Sequence, residues 1–239
     1  MTEQKYTLRN VTLQNLNLEA VYEGYREDTP EALPTPWDIG RAQSALVALE
    51  EAGQIKGEVI DVGCGLGDNA IFLASRGYRT TGVDGSANAI DECRRRAAAQ
   101  GLDVQFAVAD AAALDGFDDR FDTVVDSALY HCLTEENQQR YVATLHRATR
   151  PGARLHLFCF AKELPSAFPV LQRISEQNLR ETVGRFWDIT SIKPALYDTS
   201  LTPEILTRLT GKPASPDLEL DEQGQILSQV WQLTAERID

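Results

Sequence analysis

The chain is poor in positive charge: 23 lysines and arginines stand against 36 aspartates and glutamates, a net charge of −13. Such a surface repels phosphate backbones and anionic lipid headgroups, so nucleic acid and membrane surfaces are not expected as partners. No stretch approaches the roughly 20 apolar residues that a membrane span needs. The start, MTEQKYTLRN, has neither the basic segment nor the apolar core of a secretory signal. A cytoplasmic location is the resulting expectation. Cysteine is scarce as well. Cys64, Cys93, Cys132 and Cys159 form no C-x-x-C pair, and apart from the neighbours His131 and Cys132 no histidine stands at ligand spacing. That argues against a structural zinc site and predicts reduced, mostly buried thiols. Internal repeats and low-complexity tracts are missing too. What is there is 239 residues, 43% hydrophobic and 25% charged, the size and balance of one large domain with a well-buried core.

From Gly57 to Cys159 short β-branched apolar runs alternate with helix-like stretches, the pattern of a parallel sheet with helices on both faces. Strands are expected at Glu58 to Val62, Arg79 to Val83, Val104 to Ala109, Phe121 to Asp126 and Arg154 to Phe160. Helices are expected near Asp68 to Arg76, from Asn88 to Gln100 and from Glu135 to Thr149, with Gly77 and Gly101 as stops and Pro151-Gly152 as a turn. Ahead of this core, residues 1–53 combine the rings of Tyr22, Tyr25 and Trp37 and three prolines with an amphipathic Arg41 to Glu51 helix, which reads as a cover segment. Behind it, residues 161–239 read as a helix from Ser166 to Val183. The runs FWDITSIKPALYDTS and QILSQVWQLTAERI then read as two late strands joined by a polar connection. Consecutive late strands suit an antiparallel edge.

The string Asp61-Val62-Gly63-Cys64-Gly65-Leu66-Gly67-Asp68 lies between a strand and a helix. Glycines there permit positive φ and close backbone approach to a ligand, and the helix start presents free N–H groups. Ligands of open α/β sheets bind beyond the carboxyl ends of the strands, where this loop falls. A dinucleotide site wants G-x-G-x-x-G, but Asp68 occupies the third glycine's place. Asp61 and Asp68 would repel a diphosphate and suit a ligand carrying an ammonium and a sulfonium. The second strand ends in Val83-Asp84-Gly85-Ser86, placing Asp84 where a carboxylate can accept ribose hydroxyls. The third ends in Asp110-Ala111, where Asp110 can accept from an adenine amino group.

With these residues assembled, the chain resembles the class I S-adenosylmethionine-dependent methyltransferases, from about Gly57 to Phe160. The resemblance rests on D-V-G-C-G-x-G, the acidic end of strand two, the Ala-Asp after strand three and F-D-x-V-x-D at strand four. It implies a Rossmann-like α/β three-layer sandwich on a seven-stranded, mostly parallel sheet with its last strand antiparallel. It also implies S-adenosylmethionine as cofactor and S-adenosylhomocysteine as product. The backbone of Gly63, Cys64, Gly65 and Gly67 would surround the amino-acid end of the cofactor, with Asp84 on the ribose, Asp110 and Ala111 at the adenine, and Asp126 and Ser127 near the methionine portion. Thr35-Pro36-Trp37-Asp38-Ile39-Gly40 and Asp126-Ser127-Ala128-Leu129-Tyr130-His131-Cys132-Leu133 look like the small-molecule branch, which includes thiopurine and thiol methyltransferases and bacterial enzymes that O-methylate hydroxyquinolones. Trp37 would then cover the cofactor.

Methyl transfer from a sulfonium is an in-line displacement, so the protein must position, desolvate and often deprotonate the acceptor. His131, just past strand four, is the candidate base. Its imidazole titrates near ~6.5 when unperturbed. His146 and His156 read as structural. The rings of Tyr22, Tyr25, Trp37, Tyr130, Phe168, Trp187 and Tyr197, with His131, are the candidate acceptor pocket. A magnesium-assisted variant would need more carboxylates at the strand ends, so no metal is expected. The expected substrate is a small aromatic or heterocyclic hydroxyl compound, with thiol or ring nitrogen next. An NAD-dependent oxidoreductase and a non-catalytic binding module are the other readings.

Overall fold

The run Glu-Val-Ile-Asp-Val is too apolar for a surface strand, and strand β1 (Glu58–Val62) is buried along its whole length at the centre of a seven-stranded sheet. The computed structural model describes residue 22 and residues 35–163 and 172–239. Around β1 the sheet runs β3 (Gln105–Val108), β2 (Arg79–Asp84), β1, β4 (Phe121–Ser127), β5 (Thr149–Phe160), β7 (Leu227–Arg237), β6 (Trp187–Asp198). The first five strands are mutually parallel, and β7 is antiparallel to both β5 and β6. The order reverses between β1 and β4, so the ends of these two strands open the crevice where ligands of such sheets bind.

Helices cover both faces. Helix α1 (Ser44–Glu51), α2 (Asp68–Ser75) and α6 (Pro203–Thr210) pack on the face that holds Val59, Val125, Phe158 and Tyr197. Helices α4 (Glu135–Ala148) and α5 (Glu176–Val183) pack on the face of Ile60, Val124, Leu155 and Trp187. Helix α3 (Ala87–Ala99) shares a smaller cluster with α2 and Phe106 of β3. Ser86, Thr134, Ser175 and Thr202 cap α3, α4, α5 and α6 by accepting backbone N–H groups. The two-residue alternation of the strands decides the site. In β4, Val124 and Asp126 face α4, while Val125 and Ser127 face the other side, where Tyr197 lies.

Three expectations about elements need correction. The fifth strand begins at Thr149 and runs through Pro151 and Gly152, the latter with φ of 71°; a register shift between Phe121 and Thr123 of β4 accommodates them. The polar connection before β7 contains α6, whose signals are Thr202 as cap, Pro203 at the first turn and Gly211 in a left-handed C-cap. The expected Ser166 to Val183 helix lies partly outside the described residues; its described part is α5, which begins at Glu176 after an extended bridge between Ala161 and Ile174. Among the described residues no helix is long and apolar enough to cross a membrane.

Trp187 opens β6 opposite Arg237, at the amino ends of the parallel strands and away from the glycine loop. Its ring is 1% exposed and its Nε1 donates to the Val142 carbonyl. It is a core residue and not part of an acceptor pocket. Trp187→Ala should therefore lower the unfolding free energy by about 3–5 kcal/mol in a urea titration. A loss under about 1 kcal/mol would contradict this packing.

Candidate active site

The glycine loop is held from the side by β2. Gly63 and Cys64 donate their N–H groups to the Val83 carbonyl (2.8 and 3.0 Å), and Gly65 donates to Asp84 Oδ2 (2.9 Å). Asp84 Oδ1 accepts from Ser86 (2.9 Å), so this carboxylate fixes both the loop and the start of α3. Gly67 caps α2 with φ of 87°, where a Cβ would lie 2.9 Å from Cys93 Sγ. A side chain there meets both backbone strain and a clash. Cys93 Sγ in turn donates to the Gly65 carbonyl (3.1 Å). The thiol hydrogen bond with Cys93 and burial push the Cys64 thiol well above its usual range, so it is a packed, unreactive group.

Beside the loop, Asp61 is fully buried and neither carboxylate oxygen has a hydrogen-bond partner among the described residues. The Ala70 amide near the start of α2 lowers its pKa without reaching hydrogen-bond geometry. Burial first, then the charges of Asp126 and Asp84, raise it from 3.8 to about 8. A buried, unpaired carboxylate is among the most costly groups in a protein unless a cation meets it. Asp68, by contrast, is engaged: its carboxylate accepts from Arg96 (3.1 Å). Asp110 is exposed and accepts from Ala112 N–H (2.9 Å), shaping the turn after β3 beside Ala111. Gly85 is exposed at the tip of β2.

Trp37 and Tyr22 lie directly over the loop. Trp37 Nε1 donates to Tyr22 Oη (3.0 Å), and a Cβ on Gly65 would be 3.3 Å from that oxygen and 3.7 Å from the indole. Tyr22 therefore belongs with Trp37 on the glycine-loop side and not with the acceptor rings. Tyr25 and Phe168 lie outside the described residues.

After β4 the chain turns sharply. Ala128 has φ of 77°, a conformation that costs a non-glycine residue about 1–2 kcal/mol. The Asp126 carboxylate holds this turn: Oδ1 accepts from Leu129 (2.9 Å) and Tyr130 (3.3 Å) N–H, and Oδ2 from Tyr141 Oη (2.9 Å). These bonds pull against burial, which still raises Asp126 to about 7. The expectation that Asp126 faces a ligand's methionine portion is corrected: its side chain is turned under α4 and serves the turn. Tyr130 is likewise corrected. It is fully buried, with its hydroxyl donating to Asn178 Oδ1 (3.0 Å).

The same turn puts His131 on the opposite face, edge-on to Phe160 with centroids 4.8 Å apart. Phe160 continues to Tyr197 (6.2 Å), and Tyr197 Oη is 3.1 Å from Ser127 Oγ. His131 is 6% exposed and its Nδ1 has no partner among the described residues; burial lowers its pKa to about 4, so the imidazole is neutral at physiological pH. Gly63 joins the two halves, since Leu129 packs where its Cβ would stand. Of the expected acceptor residues, His131 and Tyr197 come together with Ser127. Phe160 was missed by sequence reasoning because nothing marks one aromatic strand residue over another.

Comparison with known proteins agrees with this geometry. A family model described as a methyltransferase domain matches residues 59–152. The chain is 38% identical over 187 residues to the 2-heptyl-1-hydroxyquinolin-4(1H)-one methyltransferase of Mycobacteroides abscessus, covering 75% of this chain and 81% of the relative. A structure solved in work on the conversion of a disulfide bond into a thioacetal group during echinomycin biosynthesis is 34% identical. It covers 92% of this chain and 93% of that one, with a TM-score of 0.73. The magnesium protoporphyrin IX methyltransferase of Synechocystis, solved with S-adenosylmethionine bound, shares the fold at 22% identity and a TM-score of 0.56, over 82% of this chain and 77% of that chain. The chain belongs to the class I S-adenosylmethionine-dependent methyltransferases. Its cofactor is S-adenosylmethionine, and the oxidoreductase and non-catalytic readings are set aside.

The residues fit that donor. Asp61 offers an uncompensated buried carboxylate to its ammonium, Asp84 stands at the tip of β2, and the glycine loop leaves room for its backbone. Because Asp61 holds its proton to about pH 8 in the folded protein but only to 3.8 unfolded, its contribution to stability falls as pH rises between those values. Asp126 acts in the same sense. A bound ammonium favours the ionised form. S-adenosylhomocysteine binding should therefore strengthen from about pH 6 to 8 with proton release. Asp61→Asn should remove the proton release and weaken binding roughly 10- to 100-fold by calorimetry.

Proposed function

We propose that this enzyme methylates the hydroxyl or N-hydroxyl of a small aromatic heterocycle such as a hydroxyquinolone. The observation that carries the reading is the neutral, buried His131, with its unpartnered Nδ1, set among Phe160, Tyr197 and Ser127 beside the glycine loop. Flat rings stack well on aromatic faces, and aromatic side chains with few polar groups among them suit a small heterocycle. The relative from Mycobacteroides abscessus supports the reading, since its name specifies a quinolone with a 1-hydroxyl group.

When bound, the donor supplies an electrophilic methyl on a sulfonium, so the leaving group needs no protonation. The protein's tasks are then three. Phe160 and Tyr197 exclude water and fix the plane of the acceptor. Ser127 and Tyr197 offer hydroxyls to its polar edge. His131 takes the acceptor's proton or hydrogen bond on a ring nitrogen. An imidazole held near about 4 is a weak base, so it suits an acidic N-hydroxyl or phenol for which proximity supplies most of the acceleration.

A second reading is methylation at sulfur, favoured by the 34% identity and near-complete mutual coverage with the structure tied to disulfide-to-thioacetal conversion. A disulfide sulfur carries no proton, which separates the two. With labelled S-adenosylmethionine and a panel of hydroxyquinolones, phenols, thiols and disulfides, label is expected on hydroxyl acceptors. His131→Ala should lower kcat on them roughly 10- to 100-fold, toward the low end of general-base contributions. Transfer only to sulfur compounds, indifferent to His131→Ala, would establish the second reading, and transfer only to macromolecules would overturn both.

A further inference from the structure

We propose that Arg96 is the positioning residue that retains the methyl donor, by pinning the Thr35-Pro36-Trp37-Asp38-Ile39-Gly40 cover onto the glycine loop. Arg96 lies on α3, yet it joins three elements. Its NH1 and NH2 reach both oxygens of Asp38 (2.9 and 3.1 Å), NH1 also reaches Asp68 at the start of α2 (3.1 Å), and Nε reaches Glu92 (2.9 Å). The guanidinium is 19% exposed and its three carboxylates 15 to 19%. A two-pronged, half-shielded pair of this kind resists screening far better than a surface ion pair.

The grip acts where the donor lies. Asp38 follows Trp37, whose indole rests with Tyr22 over Gly65. Asp68 begins the helix that leaves the glycine loop. Arg96 thus ties the cover and the loop to one cation. The other side of the cover is fixed independently: Ser200 N–H donates to the Pro36 carbonyl (2.9 Å) and Ser200 Oγ to Thr35 (2.9 Å). Without Arg96, Asp38 and Asp68 would face one another uncompensated while Glu92 kept Arg95, and the Asp38–Asp68 repulsion would lift the Trp37 side while the Ser200 side stayed attached. A lysine carries the charge but not the planar fork that spans Asp38 and Asp68 together. The inference concerns the donor alone and is independent of the acceptor.

The test uses S-adenosylhomocysteine binding by calorimetry and stopped-flow, with thermal midpoints alongside. Arg96→Gln should weaken binding roughly tenfold or more, mainly through faster dissociation. Arg96→Lys should recover part of the loss. Arg95→Gln, whose 70%-exposed side chain pairs only with Glu92, should bind as wild type. If Arg96→Gln does not fold, Asp38→Asn removes the same pairing from a loop position and should show the same faster dissociation. A lowered thermal midpoint with dissociation within about twofold of wild type, in Arg96→Gln or Asp38→Asn, would make Arg96 a stability residue only and overturn the proposal.

Discussion

The site is organised around a buried acid to which the described residues offer no counter-charge. Asp61 sits on the innermost strand, where a salt bridge or a hydrogen-bonding side chain would ordinarily satisfy a carboxylate, and it has neither. A second carboxylate, Asp84, stands close enough to raise its pKa further while its own oxygens brace the glycine loop. A ligand with an ammonium group would supply the counter-charge that the described residues do not, whereas a diphosphate would add repulsion.

The acceptor side depends on the alternation of one strand. Successive residues of β4 point to opposite faces, so Asp126 goes under α4 to brace a strained turn while Ser127 goes to the face of Tyr197. The turn then delivers His131 to the face of Ser127. Position in sequence thus separates structural from ligand-facing polar groups less well than parity along the strand does.

Much of this was legible in the sequence. The apolar runs and their spacing are enough to place the strands of the parallel core, and the glycine loop between strand and helix locates the donor. The acceptor wall was read less well, for a physical reason. Tyr130 and Trp187 are as aromatic as Tyr197, but they point into the α4 face or lie at the far end of the sheet, and composition is blind to face and end. Asp126 adjoins a motif that suggests ligand contact, yet its hydrogen bonds are local. The fastening of the cover was invisible because its pairs are remote, 58 residues apart for Asp38 and Arg96 and 165 for Thr35 and Ser200. By contrast α6 had a cap, a proline and a terminal glycine in plain view.

That last separation bears on how the molecule is assembled. Residues 35–40 leave the ribosome well before one of their two anchorages, Ser200, close to the end of β6. Contacts so distant along the chain form late. During synthesis the central strands can pair and the glycine loop can settle while the roof over it still lacks one support. Completion of the roof is thereby deferred until the segment that carries Ser200 has emerged, and a nascent chain that stops short of it is denied that support.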